Sequence, residues 1–278
     1  MERFFGLFKM DTDFSDTKQS IRAELERDDL CFYHFIGGNP SETQALSQKL
    51  QTLRESKALL IGIFRFPFRF EGKRRQFTAR EQYFMMKEFC DAVIFFDSDG
   101  LMETIDPTTP IHDAQLAFDK IEEQTSQTLR EMVDETGKIN IDFHDIKSFI
   151  QRNRGPLFVH TIEGDSFDEP LKYLIATPYL PKDFTEGEQL IINIGYTRDV
   201  DMAAFRQINL RLNDLFDKAD LFKLGSYFID EPGHHFKISL LVNGLQDPVE
   251  NPSINIKTET KYKSFIKRWQ KFIEKEIR

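Results

Sequence analysis

Three apolar runs, Leu30–Phe35, Ala58–Phe64 and Asp91–Phe96, constrain this chain more than anything else in it. Each is nearly continuous rather than alternating, the pattern of a strand buried on both faces. Between them, Ser41–Ser56 places Ala45, Leu46, Leu50 and Leu53 on one helical face, and Gln76–Phe89 is helical as well. A strand–helix–strand–helix order predicts a parallel sheet with right-handed crossovers. Gly37-Gly38-Asn39-Pro40 breaks the first run, and Arg69 to Arg75 reads as a basic loop. Residues 14–27, opened by Ser15 or Asp16, read as a preceding helix.

Thr109–Val133 predicts one long helix, entered through the turn Asp106-Pro107. Beyond it the pattern changes. Leu157–Ile162, Gln189–Tyr196, Lys223–Ile229 and His235–Val242 read as strands, with helices near 168–176 and 200–217. The expected architecture is α/β, a parallel sheet joined by a long central helix to an α+β domain. The expected parts are residues 1–133, 134–250 and 251–278.

Charge and cysteine content narrow the function classes. The net charge of −9 argues against a nucleic-acid binder. Cys31 and Cys90 sit inside apolar runs and read as buried thiols of a reducing compartment, not as a disulfide framework. No apolar run is long enough to span a bilayer, and the apolar part of the first eight residues is too short for a secretory signal. A cytoplasmic protein is expected. His234-His235 invites a metal reading, but no further ligands stand at suitable spacing, so a turn is expected there.

The charge is unevenly placed. Residues 253–278 carry eight Lys/Arg against three Glu, so this segment is +5 and the remainder −14. Tyr262, Phe265, Ile266, Trp269, Phe272 and Ile273 recur there at helical spacing with Lys and Arg on the other face. Two readings stand: an interfacial helix on an anionic membrane, or a terminal helix docked on its own acidic body with Trp269 as the anchor.

Three stretches, in order, resemble FtsZ, the bacterial tubulin relative. Pro67-Phe68-Arg69-Phe70-Glu71-Gly72-Lys73-Arg74-Arg75 is similar to that family's PFxFEGxxR loop. Asp99 to Glu103, after an apolar strand, resembles NDxLLE, and Gly137 to Lys147 is close to GLINxDFADVK. The resemblance implies a Rossmann-like nucleotide half and an FtsZ/tubulin-type C-terminal domain. It also implies that Asn140, Asp142 and Asp145 form a polymer-contact loop, whose carboxylates reach the nucleotide of the next subunit and polarise the attacking water. The plainer reading is that Asp142 and Asp145 cap the helix that follows.

The same resemblance implies losses. It begins near the family's fourth strand, so a truncated nucleotide-binding half is expected, with the strand at Leu30–Phe35 left as a sheet edge. Either the Phe4-Phe5-Gly6-Leu7-Phe8 stretch folds back onto that edge or a second chain pairs there. Where the family has a glycine-rich phosphate loop, this chain has Gly38-Asn39-Pro40-Ser41-Glu42-Thr43-Gln44. Pro40 removes an amide donor and Glu42 sets a negative charge where phosphate would sit. Glu71, Arg75, Ser98 and Asp119 fall where the family contacts ribose and base, and are read as vestigial. The expectation is an FtsZ-like, non-catalytic protein without bound GTP, with an FtsZ-like protein or itself as partner. A nucleotide-independent, membrane-associated scaffold and a GTPase completed by a partner chain are the alternatives.

Overall fold

The computed structural model describes residues 5–8, 29–135, 137, 139–153, 155–165 and 175–252. The expected helix at 14–27, most of that at 168–176 and the basic segment 253–278 lie outside the described residues.

The continuous apolar runs form the first half of one eight-stranded sheet, ordered β1-β2-β3-β4-β5-β8-β6-β7. Strands β1 (Phe5–Phe8), β2 (Leu30–Ile36), β3 (Leu59–Phe66) and β4 (Ala92–Asp97) are mutually parallel. The edge expected at β2 is therefore covered by the chain's own β1, with Leu7 opposite Phe32. Strand β5 (Pro156–Gly164) joins β4 through two residue pairs. The sheet thus runs without a break into β6 (Gln189–Tyr196), β7 (Leu221–Phe228) and β8 (Phe236–Asn243). There β8 is antiparallel to both β5 and β6, while β7 is parallel to β6.

Neighbouring residues of each strand point to opposite faces, and both faces are covered. On one face, α1 (Thr43–Arg54) and α2 (Lys73–Phe89) pack Leu46, Leu50, Tyr83 and Met86 against Tyr33, Phe64 and Phe95. The same face continues over the later strands beneath α6 (Met202–Leu215), where Ile208 and Leu212 meet Leu190, Ile192 and Leu240. The other face is held by α4 (Ile111–Asp134) and α5 (Phe143–Arg152), through Phe118, Leu129, Phe143 and Phe149. A short α3 (Ser98–Glu103) follows β4 directly.

Two boundaries differ from the sequence reading. The expected basic loop is instead a 3-10 turn, Arg69–Glu71, followed by α2 starting at Lys73. Gly72, at φ +93°, makes the bend between them, a conformation open to glycine. At His234-His235 the chain turns through Gly233, and both imidazole Nδ1 atoms face Asp165.

The layout fixes two ends. The carboxyl ends of β2, β3 and β4 carry the loops at 37–42 and 67–72 and the start of α3. Helix α4 then runs 24 residues, about 36 Å at 1.5 Å per residue, to the opposite end. The acidic loop 137–145 sits there.

Candidate functional site

At the first end, residues 37–43 are closed by their own neighbours. The Gly37 amide donates to the Arg65 carbonyl at 2.9 Å. The Gly38 amide donates to Gln82 Oε1 at 2.7 Å. Gln82, fully buried on α2, donates from Nε2 to the Asn39 carbonyl at 2.8 Å and to Thr43 Oγ1 at 2.9 Å. Asn39 Oδ1 accepts from the Ser41 amide and hydroxyl, and the Glu42 amide donates to the Asn39 carbonyl. Asn39 Nδ2 in turn donates to Glu42 Oε1 at 2.8 Å. Anion binding at such a loop needs amides that point outward with no other partner. Here those of Gly37, Gly38, Ser41, Glu42 and Thr43 are all spent internally.

The space over Gly38 is also filled. This glycine holds φ +109°, and a Cβ placed on it would run into the Arg75 side chain. Arg75 Nε pairs with Glu71 Oε2 at 2.8 Å, and Glu71 Oε1 accepts from the Phe68 amide at 2.9 Å. The structure therefore brings Glu71 and Arg75 together, on the loop side of α2. Ser98 is placed elsewhere: buried at the start of α3, it donates to the Phe66 carbonyl at 2.5 Å. Asp119, on α4, is bonded to Arg65 of β3.

That last contact belongs to a buried ionic cluster. Arg65 Nη2 donates to Glu122 Oε2 at 2.7 Å, Nε donates to Glu122 Oε1, and His34 Nε2 lies against Glu122 Oε2. Glu122 is only 2% exposed. Burial works to lower the Arg65 pKa, but hydrogen bonds and charge from Glu122 and Asp119 outweigh it, so the net direction is upward. The cluster ties α4 to the centre of the sheet. Nearby, burial and the charge of Asp99 push the Asp97 carboxyl above its usual range, against the pull of Arg69 and two backbone amides.

At the far end, Asp142 is the N-cap of α5. Its Oδ1 accepts from the Asp145 amide at 2.8 Å, and Asp145 Oδ2 accepts from the Asp142 amide at 3.3 Å. This is a capping box, so the capping reading of the two residues holds. The carboxylates are not equivalent, however. Asp142 is exposed, whereas Asp145 Oδ1 is ion-paired with Lys223 of β7. Asn140 Oδ1 accepts from the Gly137 amide at 2.6 Å, which holds the loop in a tight turn. Ile139 pairs with Ser226 of β7. Gly137 lies so close to the Ser226 carbonyl that any Cβ there would collide with it.

The pattern pointed to Asn140, Asp142, Asp145, Glu71 and Arg75 but not to their controllers, Gln82, Arg65, Glu122 and Lys223. Gln82 did carry a signal, since it is the polar member of the α2 stripe Ala79, Gln82, Tyr83, Met86. Arg65 did too, as a charge inside the apolar strand LLIGIFRF. The six tail residues Tyr262, Phe265, Ile266, Trp269, Phe272 and Ile273 lie outside the described residues.

An eight-stranded, mostly parallel sheet, with a long helix separating a loop-bearing end from an acidic end, defines the FtsZ/tubulin class of fold. The empty FtsZ dimer of M. jannaschii superposes with a TM-score of 0.69 at 20% identity, over 84% of this chain and 69% of that one. CetZ2 from Haloferax volcanii, a GTPγS-bound protofilament, gives 0.66 at 13% identity, over 97% and 78%. The GDP-form protofilament of Bacillus thuringiensis serovar israelensis TubZ gives 0.63 at 13% identity, over 94% and 77%. In sequence, the chain is 27% identical over 236 residues to cell division protein FtsZ 1 of Thermococcus kodakarensis, covering 84% of this chain. The chain is an FtsZ/tubulin-like homologue, and it spans 62% of the length of that relative. No family model matches it. Among the described residues, no helix is long and apolar enough to cross a membrane.

Proposed function

We propose that this chain is an FtsZ-like protein whose own phosphate loop is closed, and that it binds, caps or regulates FtsZ-type filaments through its acidic loop. One contrast carries the reading. The amides of Gly37, Gly38, Ser41, Glu42 and Thr43 are consumed by Gln82, Asn39 and neighbouring carbonyls beside Arg75, while Asp142 stands exposed at the other end. Triphosphate binding at the first end would require breaking those bonds and moving Glu42 and Arg75. Docking of the second end onto another subunit's nucleotide requires nothing to move. A carboxylate there can orient water against a phosphoryl group that this chain does not itself hold.

The test is co-sedimentation with an authentic FtsZ, with GTP turnover measured in parallel. Asp142→Ser removes the carboxylate but keeps an N-cap acceptor, so α5 is spared. Wild type should change polymer mass or turnover, and Asp142→Ser should lose that effect with an unaltered circular-dichroism spectrum. Equal results with and without wild type would sink the reading. Calorimetric titration of the isolated chain with GTP should give no binding heat; a clear isotherm would favour a GTPase completed by a partner chain.

The names of the solved relatives, which include a dimer and protofilaments, support self-association as a second reading. Filaments of the pure protein, seen by electron microscopy without nucleotide, would favour that scaffold.

A further inference from the structure

Helix α2 packs its inward face on the sheet, but one flank borders a cleft. Gln76 and Arg80, neighbours one turn apart on that flank, line a cavity of about 330 Å³. Its volume is at the lower end of the range for small-molecule sites. The floor is aromatic. Phe66 of β3 and Phe95 of β4 lie with ring centroids 5.8 Å apart, and both are buried, as is Phe158 of β5. Asp97, two residues after Phe95, falls on the same face of the sheet and joins the lining. The opposite wall is the turn from Pro178 to Pro181, with Pro248 and Val249.

Both segments of that wall are fastened. The Tyr179 hydroxyl lies 3.0 Å from His160 Nδ1, and its ring sits 5.8 Å from that of Phe96. Gly100 lies so close to the Pro178 carbonyl that a Cβ there would collide with it. Asp247 is held to α2 by the Tyr83 hydroxyl at 2.8 Å and by Lys87 Nζ at 2.6 Å. The cleft is therefore pre-formed, as small-molecule sites usually are. None of Glu71, Arg75, Ser98 and Asp119 lines it, so it is not the vestigial guanosine side.

The charges in the cleft are only half matched. Arg69, exposed at the rim, pairs with Asp99 at 3.0 Å. Arg80 and Asp97 remain, and neither forms an ion pair among the described residues, with the other or with any third group. Arg80 Nε is buried without an acceptor. A buried donor left unmade carries its full desolvation cost, so an acceptor brought from outside gains most there. Burial and the charge of Asp99 push the Asp97 carboxyl above its ordinary range, so a cation brought to it gains as well. A dianion would meet two carboxylates in the same space and be opposed by them. A zwitterion supplies both missing charges and leaves the cleft neutral.

We propose that this cleft binds a small zwitterion with an apolar body, of the amino-acid class. Its carboxylate accepts from Arg80, its ammonium group meets Asp97, and its side chain lies on Phe66, Phe95 and Phe158. The inference is independent of the filament-binding reading, because neither the acidic loop nor residues 37–43 line the cleft.

The test is a titration of the full chain with L-phenylalanine as probe, followed by saturation-transfer NMR. Binding should be saturable. It should weaken for 3-phenylpropionate, which lacks the ammonium group, for phenethylamine, which lacks the carboxylate, and for glycine, which lacks the apolar body. Arg80→Met keeps the aliphatic stem and removes the unmatched donor. It should weaken L-phenylalanine by about tenfold or more while leaving the urea midpoint of the free protein equal to or above that of wild type. Asp97→Asn keeps the shape and should abolish the preference for L-phenylalanine over 3-phenylpropionate. Each of four results would overturn the proposal. L-phenylalanine shows no saturable binding to wild type, so the cleft is closed to it. Binding is unchanged in both variants, so it occurs elsewhere. 3-Phenylpropionate binds wild type as well as L-phenylalanine does, so Asp97 takes no cation. Arg80→Met lowers the urea midpoint, so Arg80 serves the fold and not a ligand.

Discussion

Gln82 offers the sharpest test of whether residues 37–43 are closed by the protein itself. Its side chain is fully buried and makes three hydrogen bonds, to the Gly38 amide, the Asn39 carbonyl and Thr43 Oγ1. Leucine has similar volume and none of this capacity. The Asn39 carbonyl would keep the Glu42 amide at 3.2 Å, and Thr43, only half-buried, can turn to water. The Gly38 amide would keep nothing in a buried position, so Gln82→Leu should cost about 1–3 kcal/mol. Gln82→Glu adds a pH signature. The new carboxylate would face the Asn39 carbonyl in a fully buried position, so its folded pKa lies above its unfolded value. Such a group leaves stability intact below the unfolded pKa and subtracts from it as pH rises toward the folded one. Gln82→Glu should therefore approach wild type near pH 4 and fall away toward pH 8. Urea unfolding followed by far-ultraviolet circular dichroism reads both, as a lower midpoint with unchanged slope. Amide exchange at Gly38 should be slow in wild type and fast in Gln82→Leu. A Gln82→Leu midpoint equal to wild type, or a Gln82→Glu stability flat with pH, would refute the closed-loop argument.

Three further outcomes follow from other contacts. Glu122→Gln removes one partner of the buried Arg65 pair; Asp119 retains part of the compensation, so the loss should sit near the lower end of the usual range, about 3 kcal/mol, by chemical denaturation. Gly137→Ala forces a methyl group into the Ser226 carbonyl; the loop must lift from β7, which should cost about 1–3 kcal/mol and speed amide exchange at Ser226. Burial and then the Asp247 carboxylate hold the Tyr83 phenol well above its ordinary value of 10.0. The unfolded chain therefore loses this proton first, and stability should fall as pH rises above about 10. Tyr83→Phe should blunt that alkaline loss, read by phenolate absorbance against unfolding.

What could be read from the sequence was mostly local. Buried parallel strands announce themselves because both faces must be apolar, so β2, β3 and β4 were legible to within two residues. Helix α2 was placed three residues late because Lys73, Arg74 and Arg75 stand in its first turn, where basic residues oppose the helix dipole. The four-residue β1 carried no periodicity of its own and was legible only as the need to cover an edge. Pairings at long range were not legible. Gln82 lies 44 residues from Gly38, Arg65 lies 57 from Glu122, and Lys223 lies 78 from Asp145. Each shows in the sequence only as a polar residue where the pattern asks for an apolar one, or not at all.

The Lys223 contact separates the two carboxylates that the loop pattern treats alike. Asp145 gives one oxygen to the Asp142 amide and the other to an ammonium group, so both of its oxygens are engaged within the chain. Asp142 gives one oxygen to the cap and stays exposed. If the acidic loop acts on a partner's nucleotide, as proposed, the acting group is Asp142, and Asp145 holds it in place. Lys223→Met then becomes informative. The pair is partly exposed, so its loss should cost no more than about 1 kcal/mol, and the capping box keeps α5 in register. Asp145 would be released as a second available carboxylate. The chain's effect on partner turnover should be raised or unchanged by Lys223→Met, abolished by Asp142→Ser and only weakened by Asp145→Ser, which keeps a short polar side chain at that position. If Asp145→Ser abolished that effect while Asp142→Ser left it intact, the roles would be reversed, and exposure would have been the wrong guide to which oxygen meets the phosphate.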